Sequence, residues 1–240
     1  MLLFITQRFQ RLLNFYIRLQ AALPPPVLHN IGKIEIIKKS LHQVTIEQVE
    51  GSYFEFGIFE GNSLLASICA HKCISSQSSL KFYKKAFNRQ FYGFDSFDEG
   101  FKYLDTNDKH PFFNEGAFIS SYEKCVRRFK KYPEVKLVKG YFEDTVGGKV
   151  ARTLFPNEKC AIVFIDCDLT NPAYIVLEFM KTIFQVGTVV ILDDYFAYNG
   201  DPNKGTSGAF TKFLENNPNI KAREFFDYGY TGKSFIIYSL

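Results

Sequence analysis

Two apolar runs, Cys160-Ala-Ile-Val-Phe-Ile165 and Gly187-Thr-Val-Val-Ile-Leu192, each end in acid: Asp166 after the first, Asp193 and Asp194 after the second. Such runs read as strands buried on both faces, and adjacent parallel strands bring their carboxyl ends together. Asp166, Asp193 and Asp194 are therefore expected side by side. Two like charges about 4 Å apart cost on the order of 4 kcal/mol at an effective dielectric of 20. Either one carboxyl is protonated or a cation lies among them. Oxygen donors with no Cys/His set nearby suit Mg2+ or a similar hard divalent ion, with water and substrate oxygens completing its shell. For any one aspartate, a strand-end cap is the plain alternative.

A second constellation lies in Ser52-Tyr-Phe-Glu-Phe-Gly-Ile-Phe-Glu-Gly-Asn-Ser63. It reads as a buried strand, a turn between Gly57 and Gly61, and a helix start capped by Asn62 or Ser63. The first strand-to-helix crossing of an open α/β sheet is where a nucleotide-like ligand lies. Glu55 near the strand's end suits an ammonium or sulfonium and suits a pyrophosphate poorly. Asp95, closing the run Gln90-Phe-Tyr-Gly-Phe-Asp95 ahead of Ser96, is the candidate for a ribose diol. Tyr141 and Phe142, after the run Val135–Gly140, are placed to flank an adenine ring, or are a plain surface pair. His110, before Pro111 in a polar, aperiodic stretch over residues 98–116, belongs to a loop or lid.

These residues need strands and helices to position them. Apolar runs over 52–57, 90–95, 135–140, 160–166 and 187–194 alternate with helical patterns over 64–70, 80–88, 117–131, 172–184 and 206–215. The chain then closes on Lys221–Tyr228 and Lys233–Ser239 around Gly229–Gly232, a hairpin signal. The fold class is α/β: a Rossmann-like, seven-stranded, mostly parallel sheet with a C-terminal antiparallel hairpin, plus N-terminal helices. The expected division is an N-terminal helical extension over residues 1–49 and a catalytic domain over 50–240.

A hydrophobic share of 46%, with 27 Phe and 14 Tyr, is ample for one core. A net charge of +4 is small and argues against nucleic acid. Five cysteines, an odd number, point to reduced thiols and a cytoplasmic setting rather than a disulfide framework. Cys69, His71 and Cys73 crowd one helix without a second pair to complete a zinc site, so core packing is the reading for them.

Residues 1–23 read as an amphipathic helix, with Leu2, Leu3, Ile5, Phe9, Leu12, Leu13, Tyr16 and Leu19 among Arg8, Arg11 and Arg18. Arginines interrupt it too often for a membrane span. It either packs on the domain or on a second subunit of a homo-oligomer, or makes a peripheral membrane contact. Pro24-Pro-Pro26 is expected to stop it, and a further helix over 31–49 carries Ile34, Ile37, Leu41 and Val44 on one stripe.

Taken together, Glu55–Ser63, Gly93-Phe-Asp-Ser-Phe97, Gly140-Tyr-Phe-Glu-Asp-Thr145, Asp166-Cys-Asp-Leu169 and Asp193-Asp-Tyr195 resemble the macrocin (TylF-like) O-methyltransferases, over about residues 50–215. His110-Pro-Phe-Phe113 with Asn114 echoes that family's lid, without its usual Trp. The resemblance implies a class I enzyme that uses S-adenosylmethionine. Glu55, Gly57, Gly61, Asn62 and Ser63 would lie at the aminoacyl end, Asp95 and Ser96 at the ribose, Tyr141 and Phe142 at the adenine, and Asp166 beside the cofactor. A metal at Asp166, Asp193 and Asp194 would bind two oxygens of a small-molecule or glycan acceptor, such as a sugar or phenolic vicinal diol. Asp166 or His110 would take the proton. A nucleotide-dependent enzyme on the same sheet would need a phosphate-binding glycine run that the chain lacks. A non-catalytic scaffold would have no use for clustered acid.

Overall fold

In a computed structural model the protein is described over residues 2–77, 88–100, 108–113, 116, 118–147, 155 and 157–240. Most of the helix expected near 80–88, and Asn114 of the expected lid, lie outside the described residues. Seven strands form one sheet: β1 (Ser52–Phe56), β2 (Phe91–Asp95), β3 (Val135–Lys139), β4 (Cys160–Ile165), β5 (Val189–Leu192), β6 (Lys221–Tyr228) and β7 (Gly232–Ser239). Their spatial order is β3-β2-β1-β4-β5-β7-β6. The first five pair in parallel, and β7 runs antiparallel to both β5 and β6. This is the mostly parallel sheet with a closing hairpin that the alternation of runs implies.

Every residue of β1, β2, β4 and β5 is buried, because helices cover both faces. Phe54, Phe56, Tyr92, Phe94, Val163, Ile165, Val190 and Leu192 face one layer, where α6 (Thr170–Met180) and α7 (Gly205–Asn216) pack. Tyr53, Phe91, Ile162, Phe164, Val189 and Ile191 face the other, under α2 (Pro25–Ile46), α3 (Asn62–Ser75) and α4 (Tyr122–Phe129). The short α5 (Phe142–Thr145) follows β3. Burying so many aromatic rings supplies most of the hydrophobic driving force, at roughly 25 cal/mol per Å2.

The N-terminal region departs from the sequence reading. Helix α1 covers Leu2–Ala22, and Pro25 then opens α2 rather than ending a helix alone. A proline at the first helical position costs nothing, since its missing N–H would have no partner there. Helix α2 therefore starts six residues earlier than expected. Its buried stripe runs through Ile36, Ile37, Leu41 and Val44, while Ile34 points outward at 50% exposure. At α3 the cap position is Gly61, with φ +78° and no side-chain cap, instead of Asn62 or Ser63. Asn62 accepts a hydrogen bond from Arg128 of α4 at 2.9 Å. Ser63 turns inward to Glu55.

Gly57 has a sharper role than turn flexibility. Its φ is +90°, and a Cβ there would lie 1.7 Å from the backbone oxygen of Asp166. The tips of β1 and β4 can touch only because this residue has no side chain. Gly57→Ala is expected to cost more than about 2 kcal/mol of unfolding free energy, since both dihedral and overlap oppose it. Urea unfolding measures this, and a wild-type midpoint would refute the close approach.

Candidate active site

The carboxyl ends of β1, β2, β4 and β5 meet at one edge of the sheet. The acids expected after β4 and β5 are there, in a different grouping. Asp166, Asp168 and Asp194 each place one carboxylate oxygen within 4.8 Å of the others. Asp168 (φ +61°) and Asp194 (φ +49°) both hold left-handed backbone that non-glycine residues rarely adopt. Strain at two acids of one cluster is the kind of cost that persists where function selects it. Thr231, from the turn between β6 and β7, donates to Asp194 at 2.7 Å.

Asp193, expected as a metal ligand, takes its partners here from within the chain. Its Oδ1 accepts from the Tyr228 hydroxyl at 2.9 Å. Its Oδ2 lies 2.6 Å from Lys33 Nζ and 3.2 Å from His29 Nε2. Asp166 Oδ2 accepts from the same Lys33 at 2.7 Å. The reason is register: successive residues at a strand end point to opposite faces, so Asp193 turns under α2 while Asp194 turns to the open edge. Burial works against ionising Asp193, but Lys33 and His29 outweigh it and hold its carboxyl well below the usual range. Asp166 is pushed up by burial and by Asp193, against the pull of Lys33. Asp168 is pushed up by burial and by Asp166 and Asp194. Three carboxylate oxygens within 4.8 Å of one another are the kind of donor set that a hard divalent cation takes.

Beside these acids lies the β1–α3 turn. Glu55 is fully buried; Tyr53 donates to one of its oxygens at 2.7 Å and Ser63 to the other at 2.5 Å. It braces the turn from beneath. Asp95 accepts from the N–H of Phe97 at 2.6 Å and of Phe59 at 2.8 Å, so it ties the tip of β2 to the same turn. Ser96 donates to the Gly100 carbonyl at 3.0 Å. Phe142, expected beside an adenine ring, is buried in the core, edge-to-face on Phe56 at 5.5 Å. Tyr141 stands partly exposed at the tip of β3.

The described part of the expected lid is anchored over the acids. Asp108 is buried and accepts from the Thr170 hydroxyl (2.5 Å) and N–H (3.1 Å), at the start of α6. Tyr198 donates to the carbonyls of Asp108 (3.1 Å) and Asp168 (3.3 Å). His110 stacks on Phe113 with ring centres 4.5 Å apart and meets Tyr198 edge-on at 5.0 Å. Its Nδ1 accepts from the Phe112 N–H at 3.2 Å, so a neutral His110 carries its proton on Nε2.

The sequence pattern described as Macrocin-O-methyltransferase (TylF) matches residues 21–218. The chain belongs to the TylF macrocin O-methyltransferase family. Solved structures share its fold at low identity. The calicheamicin methyltransferase CalS11 superposes with a TM-score of 0.67 at 21% identity, over 96% of this chain and 90% of that one. The O-methyltransferase NovP gives 0.64 at 18%, over 87% and 80%. TomG of Streptomyces achromogenes, solved with S-adenosylmethionine, gives 0.52 at 14%, over 85% and 80%. No curated protein matches the sequence. As a TylF-family member the protein is an O-methyltransferase of Rossmann-like fold.

Sequence reasoning missed three residues of this TylF-family site: Asp168, His29 and Lys33. Asp168 stands two residues after Asp166 and was legible as a second acid. His29 and Lys33 extend the buried stripe of α2 backward in steps of four from Ile37, where basic side chains on an apolar stripe were the available signal.

Glu55 supplies a pH test. Burial pushes its carboxyl up to about 7, against the lowering effect of Ser63 and Tyr53. The folded state thus holds this proton more tightly than the unfolded chain does. The contribution to stability is present below about pH 4.5 and is lost as pH rises through about 7. Glu55→Gln should remove that loss, so its stability relative to wild type should grow between those values, by on the order of 3 kcal/mol at most. Urea unfolding of both proteins across this range measures it; parallel profiles would refute the shift.

Proposed function

We propose that this protein transfers the methyl group of S-adenosylmethionine to a hydroxyl of a sugar or another small diol-bearing acceptor, with a divalent cation at Asp166, Asp168 and Asp194. The observation that carries this is the three-carboxylate group beside the β1 and β2 tips. A solved relative of the fold, at 19% identity and TM-score 0.58, is described as a TDP-rhamnose 3'-O-methyltransferase, which favours a sugar among diol-bearing acceptors.

The donor would lie over the Gly57–Ser63 turn, with Asp95 reaching the ribose through its unused lone pairs and Tyr141 beside the adenine. A bound divalent cation such as Mg2+ would fix two acceptor oxygens and lower the pKa of one. The chain's own residues supply the rest. The acceptor oxygen attacks the methyl carbon, the O–C bond forms as the S–C bond breaks, and S-adenosylhomocysteine leaves. The hydroxyl proton passes to a carboxylate. Asp168 suits that role: among the described residues no cation pairs with it. Asp166 is the expected base that Lys33 compromises. His110 fits a donor from Nε2 to an acceptor oxygen better than a base, since Nδ1 already accepts. Holding donor and acceptor in line is the larger contribution, worth roughly 7–11 kcal/mol where geometry is good.

Helix α1 supports a contact outside the fold. Phe9, Leu12, Phe15, Tyr16, Ile17 and Leu19 are all more than half exposed. Among the described residues no helix is long and apolar enough to cross a membrane. A homo-oligomer through α1 is the reading adopted, in a cytoplasmic setting, with an anionic membrane surface as the other occupant. Removing residues 1–23 should lower the mass in analytical ultracentrifugation while S-adenosylhomocysteine binding persists. Unchanged mass with lost vesicle binding would favour the membrane.

Asp95→Ala should weaken S-adenosylhomocysteine binding about tenfold or more in calorimetry, by loss of the braced turn and the ribose acceptor. Asp168→Asn should lower turnover on sugar acceptors by at least about a hundredfold while leaving that binding within about threefold. Undiminished methyl transfer after exhaustive chelation would remove the cation from the reading.

A further inference from the structure

Helix α4 packs straight onto the turn over which the donor is placed. Its Cys125 and Phe129 are buried, and a Cβ on Gly61 would meet the Phe129 ring at 2.6 Å. Beside them Arg128 reaches the turn with both terminal nitrogens. Nη1 donates to the Glu60 carbonyl at 2.5 Å, and Nη2 donates to the Asn62 side-chain oxygen at 2.9 Å. We propose that Arg128 is a positioning residue for the methyl donor, holding the turn and the start of α3 in the form that receives the donor's aminoacyl half. This rests on the donor placement proposed above.

The turn needs such a hold. Gly61 has φ +78°, and no side chain caps α3. Glycine visits either sign of φ at little cost, so nothing in Gly61 itself fixes the Glu60–Gly61 peptide. That peptide plane is gripped at both ends. Its N–H donates to the Ile58 carbonyl at 2.6 Å, and its carbonyl accepts from Arg128. On the preceding residue, the Phe59 carbonyl accepts from the Cys125 thiol at 3.5 Å and the Phe59 N–H donates to Asp95. Glu55 and Asp95 thus brace the turn from the strands, and α4 braces it from outside.

Fork geometry accounts for the residue type. A guanidinium donates to two acceptors at once from one rigid plane, whereas an ammonium is a single point charge. The guanidinium carbon also lies 5.9 Å from the centre of the Phe129 ring, within range of a cation–π contact. Arg127, one residue earlier, is exposed and pairs instead with Glu123 of its own helix at 3.8 Å. It is the natural control, carrying the same charge on the same helix.

Calorimetry on the full chain with two probes separates positioning from general loosening. S-adenosylhomocysteine carries the aminoacyl half, while methylthioadenosine keeps adenine and ribose and lacks it. Arg128→Met is expected to weaken S-adenosylhomocysteine binding about tenfold or more and to leave methylthioadenosine within about twofold, because two hydrogen bonds from a charged donor leave the turn. Arg128→Lys should cost about threefold or more for S-adenosylhomocysteine alone, and Arg127→Met should stay within about twofold for both probes. Equal loss for both probes in Arg128→Met would make Arg128 a general prop of the fold, and unchanged S-adenosylhomocysteine affinity would detach it from the donor; either result overturns the proposal. If Arg128→Met does not fold, Arg128→Lys decides by the same comparison. Absence of S-adenosylhomocysteine binding in wild type would instead sink the donor placement itself, and this inference with it.

Discussion

Mutual repulsion among four carboxylates at two neighbouring strand tips is the constraint to which much of this structure answers. Asp193 is buried and Asp166, Asp168 and Asp194 are partly exposed, and like charges this close repel by on the order of 4 kcal/mol per pair at an effective dielectric of 20. Three separate parts of the chain respond. Helix α2 brings Lys33 and His29. The closing hairpin brings the Tyr228 and Thr231 hydroxyls. The start of α7 brings Thr206 to the Asp193 backbone. An N-terminal helix and a C-terminal hairpin, remote in sequence, thus meet over the middle of a parallel sheet because the acids lie there.

The same edge carries local strain that the core must hold in place. Asp168 and Asp194 keep left-handed backbone, and Phe59 and Phe97 do so on the neighbouring tips. Each such residue costs on the order of 1–3 kcal/mol. Beneath them the sheet is stapled by ring packing: Phe56 on Phe94 at 4.4 Å and Phe54 on Tyr92 at 4.8 Å, with Phe155 edge-on to Tyr92 at 4.9 Å. Rigid aromatic layers below and strained acids above belong together, since a yielding core would let the acids relax apart.

Most of the fold was legible in the sequence, because continuous apolar runs ending in turns and acids carry their own meaning in a parallel sheet. All seven strands and the closing hairpin fall where the runs lie. Helix edges were less legible: the proline run reads as a stop, yet Pro25 serves equally well as a start. In the site, the convergence of β4 and β5 acids followed from topology. Which acid faces which side did not, since one residue of register at a strand end exchanges Asp193 for Asp168 and Asp194. Glu55 and Phe142 show a related limit. Their positions in the chain point to the ligand edge, but burial depth is set by the helix packed above, and sequence spacing does not report it. Lys33 and His29 were hidden for the opposite reason, being remote in sequence and recognisable only as basic side chains on an otherwise apolar stripe.

Bracing also bears on how a donor would be received. Asp95 and Glu55 satisfy their oxygens within the chain, through backbone N–H groups of Phe59 and Phe97 and hydroxyls of Tyr53 and Ser63. A turn held this way has little order left to lose when a ligand arrives, so binding free energy is not spent on arranging it. Ligand hydroxyls would add to Asp95 lone pairs that are already oriented, and do not compete with the turn for them. The acid cluster is arranged on the opposite principle. There Asp193 accepts from Lys33, His29 and Tyr228 and Asp166 from Lys33, while Asp194 accepts from the Thr231 hydroxyl and, among the described residues, no cation pairs with Asp168 or Asp194. One edge of the sheet therefore combines a closed, self-sufficient cradle with an open, under-neutralised one, which is the division of labour that transfer of a cationic donor's methyl group to a neutral hydroxyl requires.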